Sequence, residues 1–231
     1  MRPSTEPTTS VAVSESQFFK YRHDNTAALP QEDKMDLTLL LGIAAGVLQL
    51  VAFGIYNKQV FQGTTTPNTA TWTLWAFLIA LNASTYAAMT ADLAKSLLPI
   101  ASALAGLGTF AYALFAGKFR RLDFWDWVVL SIGIAAGVVW WWYQSATYAN
   151  LLVVGAVVVS FLPLLRGVWK NPAVEKALAW YVWATAYILL TMVVILRWKG
   201  QYEDFVYPVS MFFLHLAVGL LTLRKAELVR A

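Results

Sequence analysis

Seven apolar segments, each about as long as a bilayer is thick, constrain the fold of this chain more than any other feature. A helix needs about 20 apolar residues to cross the hydrocarbon core of a membrane. In lipid a helix satisfies its own backbone groups, and these segments are too continuously apolar to be barrel strands. The sequence therefore predicts an all-α integral membrane protein. The predicted spans are residues 37–56, 69–91, 95–117, 124–143, 148–167, 175–196 and 205–224.

The composition supports a membrane protein and narrows its chemistry. Only 13% of the residues are charged, against about 25% in a typical soluble domain. The chain has no Cys, and its two histidines, His23 and His215, are too few for an imidazole metal site. We therefore expect no metal and no cofactor. Basic residues lie in short clusters between the apolar segments, which indicates membrane topology rather than nucleic-acid binding.

Residues 1–36 form a polar N-terminal segment rich in Ser, Thr, Glu and Pro. They have no apolar centre, so we expect a poorly ordered tail rather than a signal peptide. Met35 stands directly before the first apolar segment and is an alternative start of the chain. Residues 226–231 are expected to form a short C-terminal tail.

Lysine and arginine in the short connections predict the orientation, because cytoplasmic loops carry an excess of them. Ten such residues fall on one side and three on the other. The chain is therefore expected in a bacterial inner membrane, with its N-terminus outside and its C-terminus in the cytoplasm. The ten are Lys58, Lys118, Arg120, Arg121, Arg166, Lys170, Lys176, Arg224, Lys225 and Arg230, and the three are Lys95, Arg197 and Lys199.

An internal repeat appears at an offset of 108 to 109 residues. Its landmarks are Trp72 with Trp180, Trp75 with Trp183, and Pro99 with Pro208. They predict two equivalent three-helix units, residues 37–117 and 148–225, joined by a linker helix within residues 118–147. The single linker helix makes the two units parallel. Parallel repeats in this 3+1+3 arrangement are typical of transporters.

Side chains at helical spacing form a matching polar and aromatic stripe in spans 2 and 6. A cavity between the stripes could stack a ring and bond its polar edge. The alternatives are interfacial anchoring or packing for the tryptophans, and an interhelical hydrogen bond for Asn82. His215, within span 7, is either a proton carrier or a neutral hydrogen-bonding residue. The predicted substrate-binding residues are Trp75, Asn82, Tyr86, Trp180, Trp183, Tyr187 and His215.

Four residues are predicted hinges, because proline and glycine allow a helix to bend. They are Gly54, Pro67, Pro163 and Pro172. The alternative is a static kink or the first turn of a helix, above all for Pro67 and Pro172.

Two segments resemble the PQ-loop pattern of SWEET-type transporters. They are Pro67-Asn-Thr-Ala-Thr-Trp-Thr-Leu-Trp75 and Pro163-Leu-Leu-Arg-Gly-Val-Trp-Lys-Asn-Pro172, the second followed by Trp180 and Trp183. The resemblance covers about residues 37–225 and implies the 3+1+3 fold. The second half is also similar to the nicotinamide-riboside transporter family in Glu175, the Trp pair and Lys199-Gly-Gln-Tyr202. Gly54 stands where the sugar transporters carry a proline.

The resulting expectation is a facilitative transporter that moves a small ring-bearing solute, such as a sugar, nucleoside or vitamin, by alternating access. Its partners would be that solute and the lipid bilayer, and a homo-oligomer is left open. An enzyme is not expected. The alternatives are a non-transporting seven-helix receptor, a scaffold or an intramembrane enzyme, although span 7 has no lysine to carry retinal.

Overall fold

The structure, a computed structural model, describes residues 31–64, 69–116 and 124–224. Within these ranges all regular secondary structure is helical. A short 3-10 helix, Pro172–Val174, joins the fifth and sixth α-helices. The α-helices are α1 (Gln31–Phe61), α2 (Thr69–Thr90), α3 (Leu93–Ala116), α4 (Phe124–Tyr143), α5 (Ala146–Lys170), α6 (Ala177–Leu196) and α7 (Glu203–Leu223).

The chain divides into two compact units, Met1–Asp36 and Leu37–Ala231. Of the first unit only residues 31–36 are described, so most of the predicted tail lies outside the described residues. Helix α1 begins at Gln31 rather than at residue 37, because charged residues that a hydropathy window omits extend the helix.

Within the described residues, five helices are long and apolar enough to cross a membrane, and they indicate an integral membrane protein. Helices α2 and α4 do not meet that threshold over their described residues. In α2 the polar residues Asn82, Ser84 and Thr85 lower the mean hydropathy. The five segments are Leu37–Phe61, Leu93–Phe115, Ala146–Lys170, Ala177–Leu196 and Glu203–Leu223.

From α2 onward the helices pack in two groups, α2 with α3, and α5 and α6 with α7. The two groups meet where α2 packs on α5. Helix α3 packs on α2, while α7 packs on both α5 and α6. Helix α2 packs on α5, and α4 packs on α5. These contacts bring the stripes of α2 and α6 to the same interior region.

Helix α1 approaches α3 unusually closely at Gly42. A Cβ atom at Gly42 would lie 2.5 Å from the carbonyl oxygen of Ala94, which no side chain tolerates without backbone movement. Further along the same pair of helices, Asn57 Nδ2 donates a hydrogen bond to Thr109 Oγ1 at 3.0 Å. Small residues at such a crossing let two membrane helices approach closely and gain packing energy.

Candidate functional site

A cavity of about 60 Å³ lies in the interior between the two groups of helices. Helices α1, α2, α3, α5, α6 and α7 all contribute to its wall. The lining residues are Gln49, Phe53, Trp72, Trp75, Leu78, Ile79, Asn82, Ser102, Val157, Phe161, Trp180, Trp183, Tyr187, Tyr207, Met211 and His215.

Two phenylalanine–tryptophan contacts form part of the cavity wall. The Trp183 ring of α6 lies 5.2 Å from the Phe53 ring of α1, edge to face. The Trp75 ring of α2 stacks on the Phe161 ring of α5 with 5.3 Å between ring centroids. Phe161 lies 108 residues after Phe53, and Trp183 lies 108 residues after Trp75. Each contact therefore pairs a phenylalanine of one stretch of chain with a tryptophan of the other. Both pairs have the separations that aromatic rings prefer in protein interiors.

Two buried polar atoms at the cavity have no hydrogen-bond partner among the residues that the structure describes. They are the Oε1 atom of Gln49 and the indole Nε1 of Trp183. By contrast, Trp75 Nε1 donates to Ser160 Oγ at 3.1 Å. A buried polar group without a partner costs about 1–3 kcal/mol, so such groups commonly mark a functional site. The cavity therefore offers one free acceptor and one free donor.

His215 lies within a cage of aromatic rings. Its ring centroid is 5.3 Å from that of Phe161, 5.5 Å from those of Trp180 and Trp183, and 5.1 Å from that of Tyr187. The Nδ1 atom is 2.7 Å from the carbonyl oxygen of Met211. Since a carbonyl only accepts, Nδ1 carries a hydrogen in this bond, which leaves Nε2 as the acceptor of a neutral ring.

Asn82 both lines the cavity and joins two helices. Its Oδ1 atom accepts a hydrogen bond from Asn150 Nδ2 of α5 at 3.1 Å. The same Nδ2 atom donates to Thr85 Oγ1 at 3.0 Å. Asn82 therefore makes the interhelical hydrogen bond of the alternative interpretation, and it also lines the cavity.

Tyr86, predicted to bind substrate, is placed beyond the cavity. It lies one helical turn past Asn82, and its hydroxyl donates to the backbone oxygen of Asp204 at 2.9 Å. Its ring packs against Tyr207, 5.1 Å away, which does line the cavity. Tyr86 thus belongs to the structure that closes one end of the cavity rather than to its wall.

Two ion pairs, one of them buried, lie at that same end. The Nζ atom of Lys95, in the first turn of α3, lies 2.6 Å from Asp204 Oδ2 at the start of α7, and both side chains are almost inaccessible. Beside them, Arg197 Nε donates to Asp92 Oδ2 at 2.7 Å, and its Nη1 donates to Thr38 Oγ1 at 2.9 Å. The network joins Thr38 of α1 and the starts of α3 and α7 to the end of α6. Removing one partner of such a pair leaves an uncompensated buried charge.

Aromatic residues and one carboxylate close the other end. Tyr56 packs between Trp72 and Trp183, at 5.3 and 5.8 Å between ring centroids. Trp180 Nε1 donates to Glu175 Oε2 at 3.2 Å, just outside the start of α6. Loss of solvent raises the pKa of Glu175 to about 7, and the hydrogen bond from Trp180 opposes that rise in part.

The predicted hinge residues have different surroundings. Gly54 is exposed on α1 with open space around it, and Pro163 is exposed within α5, which continues as a helix through it. Pro172 is buried in the first turn of the 3-10 helix, so it begins a helix there. Pro67 lies outside the described residues.

Several lining residues were not predicted from the sequence, notably Gln49, Phe53, Phe161 and Tyr207. A glutamine within an apolar span is a signal that sequence reasoning could have used, since polar groups inside membranes face the bundle or a cavity. Phe53 and Phe161 also lie at the repeat offset of 108. The described ranges contain no group of three metal-ligating side chains.

Comparison of the chain with protein-family models, with curated proteins and with solved structures finds no match in any of the three. Its function is therefore argued from the cavity and the helices around it.

Proposed function

We propose that this protein is a facilitative membrane transporter of a small, neutral, ring-bearing solute such as a sugar, nucleoside or vitamin. Its seven helices act as two parallel three-helix units, residues 37–117 and 148–225, joined by α4. Movement of one unit against the other opens the central cavity to each side of the membrane in turn. The N-terminus lies outside and the C-terminus in the cytoplasm of a bacterial inner membrane.

The observation that carries the proposal is the exchange of equivalent contacts across the cavity. Phe53 of the first unit meets Trp183 of the second, while Phe161 of the second meets Trp75 of the first. Such a crossed pair is expected when two equivalent units face each other across a pseudo-twofold axis. A central cavity at the interface of repeats is where transporters bind their substrates.

The cavity wall favours an uncharged substrate. The lining residues that the structure describes include no lysine, arginine, aspartate or glutamate. A charged solute would lose its hydration without gaining a partner, which is costly in a medium of low dielectric constant. The aromatic rings of the wall suit a planar or sugar ring, and the free atoms of Gln49 and Trp183 suit one hydroxyl or amide donor and one acceptor.

The conformation described corresponds to a closed state of such a transporter. Ligand sites usually enclose about 300–1,000 Å³, whereas this cavity measures about 60 Å³. The ion pairs of Lys95 and Arg197 close one end, and Tyr56 with Trp180 closes the other. Binding of a ring-bearing solute requires the two units to separate at one of these ends.

A binding screen on the purified protein tests the proposal. Thermal unfolding is measured with sugars, nucleosides and vitamins, since a ligand that binds only the folded state raises the unfolding temperature. A compound that stabilises the protein is then tested for downhill uptake into liposomes. Trp183→Phe keeps the ring but removes the free indole donor, so we expect weaker binding by about tenfold, the value of one lost hydrogen bond.

Trp141→Phe is the matched control, because Trp141 is 81% exposed on α4, away from the cavity. We expect it to bind and transport as the unaltered protein does. Uptake that is unaffected by Trp183→Phe and by Gln49→Leu alike would contradict the assignment of the cavity as the substrate site.

A further inference from the structure

A second concave surface lies between the C-terminal ends of α5 and α7. It is a groove of about 530 Å³ that is open on one side. Its floor is apolar, formed by leucines and an alanine that face outward between the two helices. The lining residues are Leu165, Arg166, Trp169, Lys170, Ala217, Leu220 and Leu221.

Three basic side chains lie at the rim of this groove. Arg166 and Lys170 are four residues apart on α5, hence on the same face, and both are exposed. Arg224 lies over the Trp169 ring, 4.0 Å from its centroid, and its Nη1 atom donates to the Trp169 carbonyl oxygen at 3.3 Å. The described residues that line the groove include no acid.

The apolar part of the groove is exposed on the outer surface of α5 and α7. Leu220 is 51% exposed, and Trp169 is 61% exposed. Both α5 and α7 are long and apolar enough to cross a membrane, so their outward faces lie in lipid. The ends of the two helices, where the cations are, then lie at the level of the lipid headgroups. Tryptophan is enriched at that same level.

We propose that this groove binds one anionic phospholipid. The acyl chain lies along Leu165, Ala217 and Leu220, and the headgroup phosphate accepts hydrogen bonds from Arg166 and Lys170. Arg224, held in place by Trp169, adds a third positive charge at the rim. Basic pockets between transmembrane helices recognise anionic headgroups in this way. The proposal does not depend on transport.

Competition between two lipids with identical acyl chains tests the proposal. The full chain is purified in detergent, mixed with equal amounts of phosphatidylglycerol and phosphatidylcholine, and analysed by native mass spectrometry. We expect the first bound lipid to be phosphatidylglycerol. Because each basic residue near an anionic surface contributes about a fivefold change in affinity, Arg166→Gln with Lys170→Gln should reduce that preference by about 25-fold.

Lys58→Gln with Lys199→Gln is the control, since it removes the same charge from exposed positions outside the groove. It should keep the preference of the unaltered protein. If both pairs of substitutions reduced the lipid preference equally, the total charge of the protein would be the cause of the preference. That result would overturn the proposal.

Two measurements on the unaltered protein make the test independent of the variants. The preference should shrink as ionic strength rises, since salt screens exposed charges. Soluble glycerol phosphate, which has the headgroup without the chains, should fail to displace phosphatidylglycerol. Displacement by glycerol phosphate would mean a free-anion site, and equal binding of both lipids would mean no headgroup recognition; either result overturns the proposal.

Discussion

At the scale of single residues, the cavity was partly predictable from helical spacing. The stripes of α2 and α6 placed Trp75, Asn82, Trp180, Trp183 and Tyr187 on common faces, and all five line the cavity. Tyr86 shares the face but lies beyond the end of the cavity, because a stripe defines a direction around the helix and not a depth along it. The facing residues of α1 and α5 were missed, since periodicity within one helix carries no information about which helix stands opposite.

Glu175 leads to a prediction about pH. Burial raises its pKa from an ordinary value of 4.5 to about 7, so between these two pH values the folded protein holds a proton that the unfolded chain has released. The resulting stabilisation is complete below pH 4.5 and is lost as the pH rises through about 7. We expect the unfolding temperature to fall from about pH 5 to about pH 8, and Glu175→Gln to remove this part of the slope.

The matched substitution for Glu175 is Glu203→Gln, which removes one carboxylate at the start of α7 instead. It should leave the pH dependence of the unfolding temperature as it is. Equal slopes for the unaltered protein and Glu175→Gln would show that another group dominates the titration.

At the scale of helices, hydropathy predicted the elements well, because the apolar segments are separated by short polar connections. The main difference is at α1, where a charged extension continues the helix to Gln31. How the helices pair was not predictable from hydropathy. It depends on close approaches such as that of Gly42 to α3, and on hydrogen bonds such as that between Asn150 and Asn82.

The crossing of α1 and α3 is tested by comparing two glycine substitutions. Gly42→Ala places a methyl group against the Ala94 backbone, so the helices must separate. We expect a loss of about 1–3 kcal/mol in the free energy of unfolding, as is typical of overpacking. Gly137→Ala meets open space on α4 and should be neutral or stabilising by up to about 1 kcal/mol from helix propensity.

The free energy of unfolding is measured by reversible denaturation in detergent. The difference between the two alanine variants carries the result, because both add one methyl group to a helix. If Gly42→Ala were as stable as Gly137→Ala, α1 and α3 would not approach as closely as described.

At the scale of the whole molecule, the proposed transport cycle requires the buried ion pair of Lys95 and Asp204 to separate when that end of the cavity opens. The chain has no natural cysteine, so Ser102→Cys places a single thiol in the cavity wall. We expect slow labelling of this thiol by a membrane-impermeant maleimide while the ion pair is intact. Adding Asp204→Asn leaves Lys95 buried without its partner, which favours opening and should accelerate labelling by at least tenfold.

Glu203→Gln in the same Ser102→Cys background removes the neighbouring carboxylate and should leave the labelling rate unchanged. Exchanging the pair, Lys95→Asp with Asp204→Lys, should restore slow labelling. If Asp204→Asn labels no faster than the Glu203→Gln control, the ion pair does not hold the cavity closed.

The position of this ion pair has a consequence for how such a chain can arise. Lys95 and Asp204 are 109 residues apart, the same separation as Pro99 and Pro208. In an assembly of two identical subunits, equivalent positions at the symmetry axis would hold the same residue twice, and two lysines or two aspartates there would repel each other. In the proposed arrangement of two units within one chain, each unit mutates separately, so that attraction between Lys95 and Asp204 replaces that repulsion.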